Sequence, residues 1–233
     1  MPSSFEKDKL YKRRDVLQIG KRSVRFATRS REDGERCKKT IFFPPGIISG
    51  KTTSSLVDYE FYGCGYDTVS MAHDKVDDYC SEDVMAMIDA IKEGKIVGDG
   101  SEELYVFPHS LGVIHAVLAM YARPDIRDYV DGMVFMAPTG HGGTHPNRMF
   151  SSLASEVIHR PVNDYARKVM LDAIEYTLRA GPHLIKKIIQ ARDVRIIDET
   201  RALIEERGVP ITALLFIHDQ LVKHAEVSEG LGR

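Results

Sequence analysis

Apolar residues in this chain come in short blocks, separated by polar stretches and by segments with a helical period. "TIFFPPG", Thr40 to Gly46, is β-branched and aromatic and ends in Pro-Pro-Gly, which predicts a buried strand with an abrupt stop. "YDTVSMA", from Tyr66, predicts the next buried strand. Ser81 can cap a helix with Glu82 and Asp83 in its first turn, and Val84, Met87, Ile88 and Ile91 then repeat at i, i+3, i+4, i+7, one apolar face. Leu104 to Phe107 predicts a strand, Leu111 to Ala122 a helix ended by Arg123-Pro124, and "YVDGMVFMAPTG" a further buried strand. A mostly helical stretch runs from about His145 to Arg207, punctuated by Pro161 and Pro182, before a last strand in "VPITALLFIHDQLV". Upstream, Val16 to Ile19 predicts a short strand that can pair as a hairpin with the alternating "RSVRFATRS", and Thr52 to Tyr62 a short helix. Strands alternating with helices imply crossovers, hence an α/β fold with a mostly parallel sheet flanked by helices. In such sheets, sites form where loops leave the carboxyl ends of the strands.

Length and charge narrow the class. With 233 residues the chain can form one large α/β domain or two small ones. It is 43% hydrophobic and 28% charged, the balance of a globular protein, and its net charge of -2 favours neither nucleic acid nor an anionic membrane. Cys37, Cys64 and Cys80 are an odd count without metal-site spacing, which points to a reducing, cytoplasmic compartment. "MPSSFEKDKLYKRRD" lacks the apolar core of a secretory signal, and no apolar run is long enough for a membrane span.

Two stretches carry candidate chemistry. The first, Ile41 to Thr53, ends in Gly50-Lys51-Thr52, as does a phosphate-binding loop of the form G-x-x-x-x-G-K-S/T. The position of its first glycine holds Pro45, which offers no N–H to a phosphate. The second, "FPHSLGV", places Ser110 in the turn between a buried strand and an apolar helix. A sharp bend there lifts the hydroxyl above the sheet and aims the helix amino terminus at it, and the N–H of Leu111 can then stabilise an oxyanion.

In Pro108-His109-Ser110-Leu111-Gly112 the chain resembles the α/β-hydrolase family, whose nucleophile elbow reads G-x-S-x-G, with proline for the first glycine. The resemblance extends from about Val16 to Val222. Pro45-Gly46-Ile47 fills the slot of the family's oxyanion loop, which makes the Ile47 N–H the implied second donor beside Leu111. "YGCGYDTVSMAHD" resembles the segment in which a Gly-Tyr pair leads into the next strand. The family's helical cap follows the strand after the elbow, and the resemblance assigns residues 145–207 to it, inserted in a core of 1–144 and 208–233. It makes Asp219, at the end of the last strand, the triad acid, in the chain order serine then aspartate.

Serine needs a base to take its proton. The family supplies a histidine after one more helix and strand, roughly another 40 residues past the acid given ordinary element lengths, and the sequence ends at Arg233. Of the histidines present, His224 lies too near Asp219, His109 flanks the serine, and His115 sits one turn into the helix; His73, with Asp74 beside it, is a weak candidate. "HGGTH", His141 to His145, reads as a flexible entry to the cap rather than a metal site. The resemblance thus implies a serine hydrolase for a small-molecule carboxylic ester or related acyl bond, incomplete or inactive in this chain where no histidine completes the triad, and needing no metal or organic cofactor. The alternatives are a hydrolase-like protein that binds a small ligand without turnover and, third, a phosphate-loop enzyme. The sheet edge at Ile211 to Ile217, left without a following strand, predicts self-association.

Overall fold

The computed structural model describes residues 12–29, 39–46, 61, 64–72, 80–97, 101–136, 138, 140, 175, 181 and 194–214. Among the described residues seven strands form a single sheet: β1 (Lys12–Ile19), β2 (Arg22–Arg29), β3 (Lys39–Phe43), β4 (Asp67–Ala72), β5 (Glu103–Val106), β6 (Gly132–Met136) and β7 (Ile211–Leu214). Their order across the sheet is β1-β2-β4-β3-β5-β6-β7. β1 and β2 form an antiparallel hairpin, and β2 runs antiparallel to β4. All pairings from β4 through β3, β5 and β6 to β7 are parallel. The expected mostly parallel α/β sheet is therefore the observed one.

Three α-helices of the described residues pack with this sheet: α1 (Ser81–Lys92), α2 (Leu111–Tyr121) and α3 (Ile197–Glu205). α2 lies between the other two, in contact with both. The register aligns Phe42 with Val69 on one side and Val106 on the other, and Val106 with Met133. These side chains join Val84, Met87, Ile88 and Ile91 of α1, Val113, Val117 and Met120 of α2, and Ile196 and Leu203 in one core. Phe42 and Phe135 are wholly buried; enclosing a side chain of that size is worth roughly 1.5–3 kcal/mol over leaving it in water. A second aromatic group gathers at the carboxyl ends of β3 and β5, where Phe107 meets Phe43 and Phe61 edge-on, with centroids 5.8 and 5.1 Å away.

The helix ends differ in detail from the sequence expectation. Cys80, not Ser81, is the N-cap of α1, and the Asp83 carboxylate accepts from the Cys80 N–H at 2.9 Å. The carboxyl end of α2 is tied down from outside. Arg207 donates to the carbonyls of Met120 and Arg123 at 3.3 and 2.6 Å and sits over the Tyr121 ring. Arg123 bridges to Asp89 of α1 and to Asp125. Both carbonyls also accept backbone N–H groups, from Arg123 and Ile126, so Arg207 adds a charged second donor at the carboxyl end of α2.

The segment read as a cap, 145–207, includes α3, which packs on α2 and contributes Leu203 to the core. The Ile196 N–H donates to the Gly140 carbonyl at 3.2 Å.

Candidate active site

β5 ends at Val106, and the next four residues form the bend that leads into α2. On one side the bend is tied to β3: the Phe107 N–H donates to the Phe42 carbonyl at 2.8 Å and the His109 N–H to the Pro44 carbonyl at 3.1 Å. On the other it is tied to β6: the Ser110 N–H donates to the Met136 carbonyl at 3.0 Å, and the Met136 N–H to the Pro108 carbonyl at 3.0 Å. Pro108 contributes only a carbonyl, so its missing N–H costs nothing here.

Ser110 itself carries the strain. At φ 50 and ψ -119 it is the one non-glycine residue with positive φ among the described residues. These angles are close to those of the first central position of a type II′ turn, which glycine dominates. A side chain there is unfavourable by about 1–3 kcal/mol, and such residues persist only where their surroundings over-determine them. The four hydrogen bonds to β3 and β6 do so.

Two glycines bring the end of β3 against this bend. A Cβ on Gly112 would lie 2.5 Å from the Pro44 carbonyl oxygen and 2.7 Å from that of Pro45. A Cβ on Gly46 would lie 2.7 Å from His109 Nδ1 and 2.8 Å from Ser110 Cβ. All four distances are shorter than real Cβ contacts, so only glycine fits without displacement of its neighbours. Gly46 therefore lies against the serine.

Ser110 is the N-cap of α2 and half-buried, and Leu111 opens the helix. No acidic side chain stands in that first turn, so its partial positive charge is not offset locally.

The other sequence candidates are distributed unevenly. His109 and His115 are both half-buried, the first in the bend and the second in α2. Ile47, Lys51, His73, His141, His145, Asp219 and His224 lie outside the described residues. β7, the strand expected to present Asp219, runs parallel to β6 as far as Leu214. Among the described residues no group of three or more His, Cys, Asp or Glu could hold a metal, and no helix is long and apolar enough to cross a membrane. The sequence placed Ser110, Leu111 and Gly112 at the junction of strand and helix but not the carbonyls of Pro44 and Met136 that tie the bend down, because a carbonyl contact leaves no residue-type signal.

No family model matches the sequence, and no curated protein does. Solved structures do. The carboxylesterase CesB (YbfK) from Bacillus subtilis is 11% identical, with a TM-score of 0.63 over 98% of this chain and 82% of that one. The esterase Pf2001 from Pyrococcus furiosus is 14% identical, with a TM-score of 0.61 over 99% and 78%. A bacterial membrane phospholipase A is 12% identical, with a TM-score of 0.62 over 98% and 77%. Identities this low speak to architecture, and with the strand order and the strand–bend–helix at Ser110 they lead to one conclusion: this chain has the α/β-hydrolase fold.

Proposed function

We propose that the protein is a serine hydrolase that cleaves a small-molecule carboxylic ester or related acyl bond. The observation that carries this reading is the strained backbone of Ser110, held by β3 and β6 at the mouth of a helix. Strain of that kind is maintained where a side chain has work to do. In the proposed mechanism Ser110 Oγ attacks the acyl carbon while its proton passes to a base. The carbonyl oxygen becomes an oxyanion, which the N–H groups of Leu111 and Ile47 stabilise. The alcohol leaves with a proton, and water then attacks the acyl–serine ester and restores the hydroxyl. Asp219 is proposed as the acid that orients the base; the base is unassigned, with His73 its weak candidate. No metal or organic cofactor enters these steps. The esterases and the phospholipase among the structural neighbours support the reaction class.

We also propose that a cap is inserted between Gly140 and Val194, with α3 belonging to the core, and that the protein works in the cytoplasm. The hydrogen bond between Ile196 and Gly140 and the packing of α3 on α2 support the first, cysteine usage the second.

A fluorophosphonate probe tests the central claim. Labelling of the wild type that is lost in Ser110→Ala is the expected result. An unlabelled wild type favours the alternative, a ligand-binding protein without turnover. A separate expectation concerns β7, which pairs only with β6 among the described residues and leaves Leu214 47% exposed. Open strand edges pair with other chains, so light scattering is expected to report a self-associated species; a clean monomer counts against it.

A further inference from the structure

The run from Pro44 to Gly46 must keep a fixed position beside Ser110, yet two of its three residues have no N–H to donate. It therefore depends on donors and contacts supplied by other segments. His109 supplies several of them. Its N–H donates to the Pro44 carbonyl at 3.1 Å. Its Nδ1 and its own carbonyl oxygen stand 2.7 and 3.1 Å from the point where a Cβ on Gly46 would be. The imidazole thus lies against the open side of Gly46, in the space a side chain would otherwise take. The same residue is joined by a parallel bridge to Met136 of β6 and directly precedes the strained serine.

We infer that His109 is a positioning residue: its ring braces Gly46 in register with Ser110. This inference rests on the reading of Ser110 as the nucleophile and goes beyond it, because it assigns the neighbouring histidine a role other than proton transfer. A brace acts on the charged oxygen that forms during reaction rather than on ground-state binding, so its loss falls on kcat and not on KM. Misplacement of a donor by an ångström can cost about a hundredfold; partial loosening of one loop is expected to cost roughly tenfold or more.

The test compares His109→Ala with His109→Phe, which keeps a planar ring of similar size but cannot carry a proton. With p-nitrophenyl acetate as substrate, His109→Ala is expected to lower kcat by roughly tenfold with KM little changed, and to slow fluorophosphonate labelling alike. Amide exchange at Gly46 is expected to speed up by roughly tenfold, since local opening exposes the N–H. His109→Phe is expected to recover most of both. Wild-type exchange at Gly46 in His109→Ala overturns the inference, and so does a His109→Phe variant that folds but behaves as the alanine variant does. A wild type that the probe never labels sinks the nucleophile reading instead, while exchange at Gly46 still decides whether the ring holds the loop.

Discussion

Gly112→Ala is expected to destabilise the protein and cut its turnover together. In an ordinary helix the opposite sign applies: alanine is favoured over glycine by about 1 kcal/mol through propensity. Here the added methyl would meet the carbonyl oxygens of Pro44 and Pro45 at 2.5 and 2.7 Å, with the Pro44 carbonyl carbon at 3.0 Å. These are backbone atoms on a run of two prolines, and they cannot rotate away as a side-chain tip could. Either the end of β3 or the first turn of α2 must shift. Overpacking of this kind costs typically about 1–3 kcal/mol, so the clash outweighs the propensity gain. The shift also separates Gly46 from Ser110, and displacement near a reacting centre costs on the order of a hundredfold in rate. Thermal melts and esterase kinetics check both parts. A Gly112→Ala protein of wild-type stability and rate would mean that the loop is not seated against the helix as described.

Much of this arrangement could be read from residue types, for reasons that differ by element. The parallel strands at the centre announce themselves because both faces are buried: in β3, Thr40, Ile41, Phe42 and Phe43 are all enclosed, and a continuous apolar run is the mark of such a strand. α1 was legible from its single apolar face. β1 was legible only in part. Its ladder with β2 spans eight residues, but Lys12, Arg13 and Arg14 follow no alternating pattern, since a hairpin at a sheet edge is held mainly by its backbone. α3 was legible as part of a mostly helical stretch. An amphipathic period says that a helix has a partner, not which element provides it, so the packing of α3 on α2 left no mark in the sequence. Ser110 shows the same division. Its place between strand and helix was visible in "FPHSLGV", whereas its positive φ depends on hydrogen bonds to β3 and β6 that no local pattern encodes.

That strain leads to the prediction that separates the role of the Ser110 side chain from the role of its backbone. Ser110→Ala and Ser110→Gly both remove the hydroxyl, and both are expected to abolish fluorophosphonate labelling and to lower turnover by about a thousandfold or more, as loss of a nucleophile does. Their stabilities are expected to diverge. Alanine keeps the Cβ that makes φ 50 unfavourable, so Ser110→Ala should melt close to wild type, within about 0.5 kcal/mol. Glycine relieves roughly 1–3 kcal/mol of backbone strain, set against about 0.5–1 kcal/mol for the greater freedom of glycine in the unfolded chain. The balance favours Ser110→Gly by about 1 kcal/mol, which for a domain of this size raises the melting temperature by roughly 2–4 °C. The hydrogen bond from residue 110 to the Met136 carbonyl is made by the backbone and survives in both variants, so it cannot account for a difference between them. A dead Ser110→Gly that is more stable than Ser110→Ala means that the fold holds a serine where glycine would be more comfortable. Equal melting temperatures for the two would remove the strain, and with it the physical reason for regarding this bend as built around a hydroxyl.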